Sequence, residues 1–203
     1  MKRFKTEDLI ESLKRDVQRL LECVVVLKQE QNEVLLQQPA PDKWSVVQIL
    51  EHLNGYGRYY LPQISKVLTL HPHMQRQAWF NSGFLGNYFT NSMKPKNILE
   101  VKNKMKAMKN HIPDNSLQPD QVLKEFIRQQ QQLLELLEQS KMSDLNALYV
   151  PVSISKYIKL KLGDTFRFFI AHEQRHFVQV RNTLQALGLS TGKFPVILPE
   201  AER

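Results

Sequence analysis

The sequence predicts an all-α fold, a four-helix bundle with a long crossover between its second and third helices. Apolar residues make up 42% of the chain, and over four long stretches they recur every three to four positions, as on helices buried along one face. Only seven of the 203 residues are glycine, which favours long helices over many short strands. Four such helices pack most simply as a bundle.

The length of the chain favours one domain with a sizeable core. We expect a single domain over residues 1–203. Residues 71–117 form a partly structured insertion within it, because a simple loop of that length is rare in a compact bundle. Residues 189–203 form a C-terminal tail that packs in part on the bundle.

The first predicted helix covers residues 6–37. Thr6 is a suitable N-cap, and Pro39 and Pro41 follow the last turn. Its apolar stripe comprises Leu9, Leu13, Val17, Leu20, Val24 and Leu27.

The second predicted helix covers residues 45–70, directly after Trp44. Pro62 lies inside it, and a proline lacks the N–H that continues the helical ladder, so a kink or a break is expected near Tyr59. In the insertion that follows, residues 79–93 are apolar enough to pack on the bundle, and residues 98–109 are expected to form a short basic helix.

The third predicted helix covers residues 119–140 and begins with Pro119, a residue that suits the first helical turn. An irregular connector is expected over residues 149–160. The fourth helix covers residues 162–187, and Gly188 followed by Leu189 is typical of a glycine C-cap with its hydrophobic contact.

The charge and composition exclude several classes of protein. The longest apolar run, residues 24–27, is too short for a membrane span or a signal core, so we expect a cytoplasmic protein without a membrane partner. The single cysteine, Cys23, rules out a disulfide within the chain and a thiolate zinc site. The net charge of +8 is most simply a solvated basic surface. Lysines concentrate in residues 94–109 without interleaved aromatic residues, which disfavours nucleic acid as a partner.

Three histidines in two segments are the main chemical signal. His172 and His176 are four residues apart on a predicted helix and therefore project from one face. If His52 on the second helix faces them, the chain offers three nitrogen ligands and leaves a position open, which is typical of a catalytic metal site. Such ligands suit zinc, nickel, copper or ferrous iron.

The segment His172-Glu173-Gln174-Arg175-His176 also satisfies His-Glu-x-x-His, the motif of zinc metalloproteases. The extended form of that motif fails here, because Val180 and its neighbours stand where a glycine and a third histidine belong. The protease fold also requires strands before this helix, and the sequence predicts helices. A metalloprotease is therefore disfavoured.

Several segments together resemble the DinB/YfiT-like family over residues 6–188. They are Trp44-Ser45 with His52 eight residues after the tryptophan, the last helix from Leu162 to Val180, and residues 83–86 and 94–105. The resemblance implies a four-helix bundle, often dimeric, that holds one divalent metal ion through His52, His172 and His176, with zinc or nickel favoured over iron or copper. Family members often carry a second histidine after the last ligand, and Phe177 stands there in this chain.

The resemblance also implies an activity. Relatives include transferases and isomerases that use low-molecular-weight thiols, and others are described as metal-dependent hydrolases. We therefore expect metal-dependent transfer or hydrolysis on a small molecule, with a low-molecular-weight thiol as a cosubstrate. A bound metal would lower the pKa of water toward ~7 or deprotonate an incoming thiol.

Three further residues are candidates for the chemistry. Glu173, beside His172, is the candidate general base, and its alternative is an exposed helix residue. Tyr56 and Tyr59 lie on the row of His52 and are candidates for orienting the substrate, or else they serve as packing residues. Two other functions stay open: a non-catalytic bundle that binds metal or dimerises, and, less favoured, a nucleic-acid-binding protein.

Overall fold

Six helices and four short strands are found in the computed structural model, which describes residues 2–71, 75–101, 112–113 and 116–197. In chain order the elements are β1 (Arg3–Lys5), α1 (Thr6–Leu27), α2 (Asn32–Leu36), α3 (Val46–Leu70), β2 (Trp79–Asn81), α4 (Phe84–Met93), α5 (Pro119–Ser140), β3 (Tyr149–Val152), β4 (Ser155–Lys161) and α6 (Leu162–Ala186). None of the helices in these ranges is long and apolar enough to cross a membrane.

Helices α1, α3, α5 and α6 form the predicted four-helix bundle. Both α1 and α3 pack beside both α5 and α6, so α5 and α6 face each other across the core. Helices α3 and α5 run parallel: Asn54 bonds to the Val122 carbonyl, and one turn further along both helices Arg58 bonds to Glu125. The long connection between these helices is therefore a crossover, as the sequence predicts.

Two apolar clusters make up the core, one towards each end of the bundle. One contains Leu50 and Leu53 of α3 and Phe177 of α6, and the other contains Tyr60 of α3 and Phe169 of α6. Along α6, His172 and His176 lie between Phe169 and Phe177, and along α3, His52 lies beside Leu53, the last α3 residue of the first cluster. The histidine cluster therefore sits at the level where the two apolar clusters meet.

Helix α1 begins at residue 6 as predicted, but its cap and its end differ from the prediction. Thr6 does not cap the helix, since its hydroxyl donates to the Gln77 carbonyl at 2.6 Å and its N–H to the Ala78 carbonyl at 3.0 Å. The helix also ends at Leu27, and the short α2 follows. The apolar stripe ends at Leu27, because the next positions on that face are Glu30 and Gln31. A longer helix would therefore have no apolar side chains to bury against the core.

The start of α3 is fixed by a capping box. The Ser45 side chain accepts from the Gln48 N–H at 3.2 Å, and the Gln48 side chain accepts from the Ser45 N–H at 2.9 Å. The helix continues without a break through Pro62, so the expectation of a break there is wrong. Leu61 and Ile64 on either side are buried, and their packing holds the helix together.

The insertion carries structure, as predicted. Strand β2 pairs with β1, and α4 packs along the outer face of α6, so α6 is buried on most sides. The basic helix predicted over residues 98–109 falls mostly on residues 102–109, which lie outside the described residues. The described part, residues 98–101, is not helical, and Val101 forms an isolated bridge with Pro95.

The connector before α6 is a β-hairpin, so the prediction of an irregular segment over residues 149–160 is wrong. Val150 and Val152 of β3 and Leu160 of β4 are buried, while Tyr149 is exposed, which is the alternation of a half-buried sheet. At the other end of α6 the predicted cap is confirmed. Gly188 has φ 81°, and the Leu189 N–H donates to the Leu184 carbonyl at 3.0 Å.

Candidate metal centre

The three predicted histidines come together between α3 and α6. Each offers one ring nitrogen, and these three atoms lie within 4.8 Å of one another. The Nε2 atoms of His172 and His176 are 3.1 Å apart, as expected for two side chains one turn apart on a helix. The ring centroid of His52 lies 5.4 Å from that of His172 and 4.7 Å from that of His176.

Neighbouring elements hold His52 in this position. The capping box sets where α3 begins, and Trp44, which immediately precedes the cap, places its ring 5.0 Å from the His52 ring. His52 and His172 are 5% and 4% exposed, so water is largely excluded from both imidazoles. His176 is partly exposed, which leaves one side of the cluster open to solvent.

The donor set fits a divalent metal ion. Two nitrogens bound to one tetrahedral metal at ~2.0–2.1 Å lie about 3.3 Å apart, close to the separation of the His172 and His176 nitrogens. Closing the widest separation to that value takes about 1.5 Å of movement, within reach of an imidazole side chain. Burial, together with repulsion from His52, lowers the pKa of His176 to about 3, so that its imidazole is neutral as a ligand must be.

Comparison with known families identifies the chain. A model of the DinB superfamily matches residues 7–180. The chain belongs to the DinB superfamily. Among solved structures it is similar to YfiT from Bacillus subtilis, described as "a probable metal-dependent hydrolase with an unusual four-helix bundle topology". The two share 13% identity with a TM-score of 0.49, and the match covers 91% of this chain and 89% of that one. No curated protein matches the chain.

Of the two predicted substrate residues of this DinB-superfamily chain, the structure brings only Tyr56 to the histidines. The Tyr56 ring lies 4.3 Å from the His172 ring and 5.1 Å from the His52 ring, and burial raises the pKa of its phenol to about 12. The Tyr59 hydroxyl instead donates to the Val152 carbonyl at 3.2 Å. Tyr59 therefore fastens the β3–β4 hairpin to α3.

Glu173 follows His172 in the chain but points into the centre of the bundle, because successive residues of a helix are turned by about 100°. It is 1% exposed, so the alternative of an exposed helix residue is wrong. Its Oε1 accepts from Gln130 Nε2 at 2.6 Å, across the core from α6 to α5. Burial raises the pKa of Glu173 to about 8, against the opposing effect of the Gln130 hydrogen bond.

The second oxygens of this acid–amide pair, Glu173 Oε2 and Gln130 Oε1, have no hydrogen-bond partner within the described part of the chain. A carboxylate can only accept hydrogen bonds, whereas a protonated Glu173 has one O–H donor of its own. The protonated form therefore needs fewer donors from the neighbouring side chains. The surroundings of Glu173 thus favour its neutral acid form.

The prediction from sequence assigned no role at the site to three residues around the histidines. Trp44 lies against His52, the Phe168 ring stacks nearly parallel to the His172 ring at 6.3 Å, and Gln179 bonds to His176. Phe168 and Gln179 lie four residues before His172 and three after His176, so their helical spacing was the available signal. The contact of Trp44 depends on how the chain enters α3.

Proposed function

We propose that this protein binds one divalent metal ion through His52, His172 and His176, and uses it to transfer or hydrolyse a group on a small molecule. The observation that carries the proposal is the convergence of three histidine nitrogens within 4.8 Å. Zinc or nickel is our first choice, and iron and copper are compatible with the same ligands.

The bound ion would act as a Lewis acid that makes water or a thiol nucleophilic near neutral pH. The residues of the chain hold and shield it. Trp44 and Phe168 pack beside the rings of His52 and His172, which are 5% and 4% exposed. The Tyr56 phenol stays protonated at neutral pH, so it can donate a hydrogen bond to a substrate oxygen beside His172.

We further propose that any thiol used by the protein comes from a small cosubstrate. Cys23, the only cysteine, is fully buried among apolar residues, and burial raises its pKa to about 12. A buried neutral thiol is a poor nucleophile. The chain itself therefore offers no reactive sulfur, and a transferase reaction would need a low-molecular-weight thiol.

The remaining roles stay predictions. Glu173 bonds to Gln130 and Tyr59 bonds to Val152, which supports structural roles for both. A catalytic role of Glu173 and a substrate-binding role of Tyr59 remain to be tested by mutation. The homodimer and the cytoplasmic location likewise stay predictions, and sedimentation of the purified protein tests the first.

Metal titration of tag-free protein tests the proposed site. We expect one zinc or nickel ion per chain, and His172→Ala should weaken binding by at least roughly 100-fold because it removes one of three ligands. His71→Ala is the control, since His71 is an exposed histidine at the C-terminal end of α3. Equal affinity in wild type and His172→Ala would contradict the proposed site.

Two simple reactions then separate the candidate activities of the metal-loaded protein. Hydrolysis of a p-nitrophenyl ester without added thiol supports a hydrolase. Conjugation of 1-chloro-2,4-dinitrobenzene that depends on added glutathione or cysteine supports a transferase. If His172→Ala and wild type have the same rates in both reactions, the enzymatic part of the proposal is wrong and the non-catalytic metal-binding alternative is favoured.

A further inference from the structure

We infer that Gln179 is a positioning residue of the histidine site: its amide sets the tautomer of His176 and adds no negative charge beside that ligand. The inference rests on the proposed metal site. Gln179 lies three residues after His176 on α6, and its Oε1 is 2.9 Å from His176 Nδ1.

The two ring nitrogens of His176 face different partners. Nδ1 faces the Gln179 side chain, and Nε2 faces His172 Nε2 at 3.1 Å. A neutral imidazole carries one N–H donor and one lone pair. An oxygen acceptor at Nδ1 therefore places the hydrogen on Nδ1 and turns the lone pair of Nε2 towards the other histidines, which is the orientation that a metal ligand needs.

Other side chains at position 179 would affect the tautomer of His176 differently from an amide. A glutamine amide can present an oxygen or an N–H, and Gln179 presents its oxygen to Nδ1. A carboxylate could only accept and would enforce the same tautomer more strongly. An apolar side chain would leave either tautomer accessible to His176.

The charge at position 179 should also affect the properties of a bound metal. A histidine binds a metal in its neutral form, and an amide acceptor adds no charge, so a divalent ion would keep its full electrophilic character. A carboxylate at position 179 would make the His176 nitrogen a stronger donor. It would then hold the metal as well or better, while making the metal less acidic towards its other ligands.

Cobalt substitution tests the inference, because Co²⁺ reports the site through its visible spectrum as well as through affinity. Gln179→Leu should weaken cobalt binding by about 10- to 100-fold, the usual effect of losing a partner of a ligand histidine. Gln179→Glu should bind at least as tightly as wild type, and its pH-dependent spectral transition should move to higher pH. Gln179→Asn, whose shorter side chain withdraws the oxygen, should fall between wild type and Gln179→Leu.

Gln185→Leu is the matched control, because Gln185 lies on the same helix and donates to the Thr191 hydroxyl at 2.9 Å, away from the histidines. Circular dichroism checks that each variant is folded. If Gln179→Leu does not fold, Gln179→Glu still tests the inference. If wild type fails to bind cobalt, the proposed function is wrong. If wild type binds but Gln179→Leu is unchanged, or Gln179→Glu weakens binding as much as Gln179→Leu does, this inference alone is wrong.

Discussion

Two buried polar clusters lie along α6, and they differ in how completely the protein satisfies them. Near the start of the helix, Asp164 and Arg167 form an ion pair with 1% and 0% of their side chains exposed. About two turns later come His172 and His176, which meet His52. Both clusters bury polar groups that cost free energy unless they are paired.

The Asp164 cluster is complete within the chain. Asp164 Oδ1 accepts from the Ser82 hydroxyl at 2.6 Å and from Arg167 Nη1 at 2.8 Å, and Oδ2 accepts from the Gly83 N–H at 2.7 Å. Arg167 Nη2 donates to Asn87 at 3.3 Å. These bonds join the N-terminal end of α4 to α6, so the cluster acts as a structural clamp.

The histidine cluster is arranged differently. One ring nitrogen of each histidine converges with the other two within 4.8 Å, and one side of the cluster is open at His176. A closed, charge-balanced network is typical of a structural role, whereas converging lone pairs of one kind indicate a site for a cation. The contrast predicts that mutations in the two clusters change different properties.

The largest effect on stability is expected for Asp164→Asn. This change removes the carboxylate from a buried guanidinium and should cost about 3–5 kcal/mol of the free energy of unfolding, measured by urea denaturation. Arg128→Gln is the control, because Arg128 forms an exposed pair with Glu125 three residues away and should cost less than about 0.5 kcal/mol. A loss below 1 kcal/mol in Asp164→Asn would show that the clamp is not important for folding.

Stabilisation by metal should depend on the other cluster alone. Zinc at about 100 times its dissociation constant should add ~2.7 kcal/mol to the stability of wild type, seen as a rise in Tm. We expect His176→Ala to lose this gain and folded Asp164→Asn to retain it. An equal rise in Tm for His176→Ala would indicate that zinc binds elsewhere.

Local signals predicted the helices that carry the histidines. The glycine cap at Gly188 marks the end of the last helix within a few residues of sequence, and the spacing of His172 and His176 fixes their common face. The meeting of His52 with this pair depended on the resemblance to the family, because no local pattern determines which helices face each other.

Features that depend on distant partners could not be predicted. Asp164 bonds to Ser82, which is 82 residues earlier in the chain, and the direction of Glu173 depends on α5 lying across the core. The β3–β4 hairpin did leave a signal in the alternation of Val150 and Val152. Pro151 between them obscured it, because proline is rare within strands.

Two helical glycines give a second comparison between the clamp and the rest of the molecule. A Cβ at Gly86 would lie 2.2 Å from Asp164 Cγ, whereas a Cβ at Gly55 would meet nothing within 4 Å. Gly86→Ala should therefore destabilise the protein by about 1–3 kcal/mol through overpacking. Gly55→Ala should stabilise it by about 0.5–1 kcal/mol, because alanine favours the helix. Urea denaturation measures both changes in the free energy of unfolding. Changes of the same sign in the two variants would contradict this prediction.

The smallest effect is expected for an ion pair at the surface, between Arg58 and Glu125. Arg58 donates to both carboxylate oxygens of Glu125, at 2.8 and 2.6 Å, and these bonds hold the pKa of Glu125 below its usual 4.5. Because the folded-state pKa is lowered, the pair stabilises the protein above about pH 4.5 and loses this effect as the pH falls through the folded-state pKa. Arg58 is 49% exposed, so solvent screening keeps the contribution small.

Glu125→Gln should accordingly cost about 0.2–1 kcal/mol at pH 7, and the difference from wild type should shrink towards zero at pH 3. Glu135→Gln, at an exposed position of the same helix, is the control and should change the stability by only a few tenths of a kcal/mol at either pH. Urea denaturation at both pH values provides the measurement. Protonation of the Glu125 carboxylate removes its interaction with Arg58, so the mutation should have little effect at pH 3. A cost for Glu125→Gln that is larger at pH 3 than at pH 7 would contradict the predicted pH dependence.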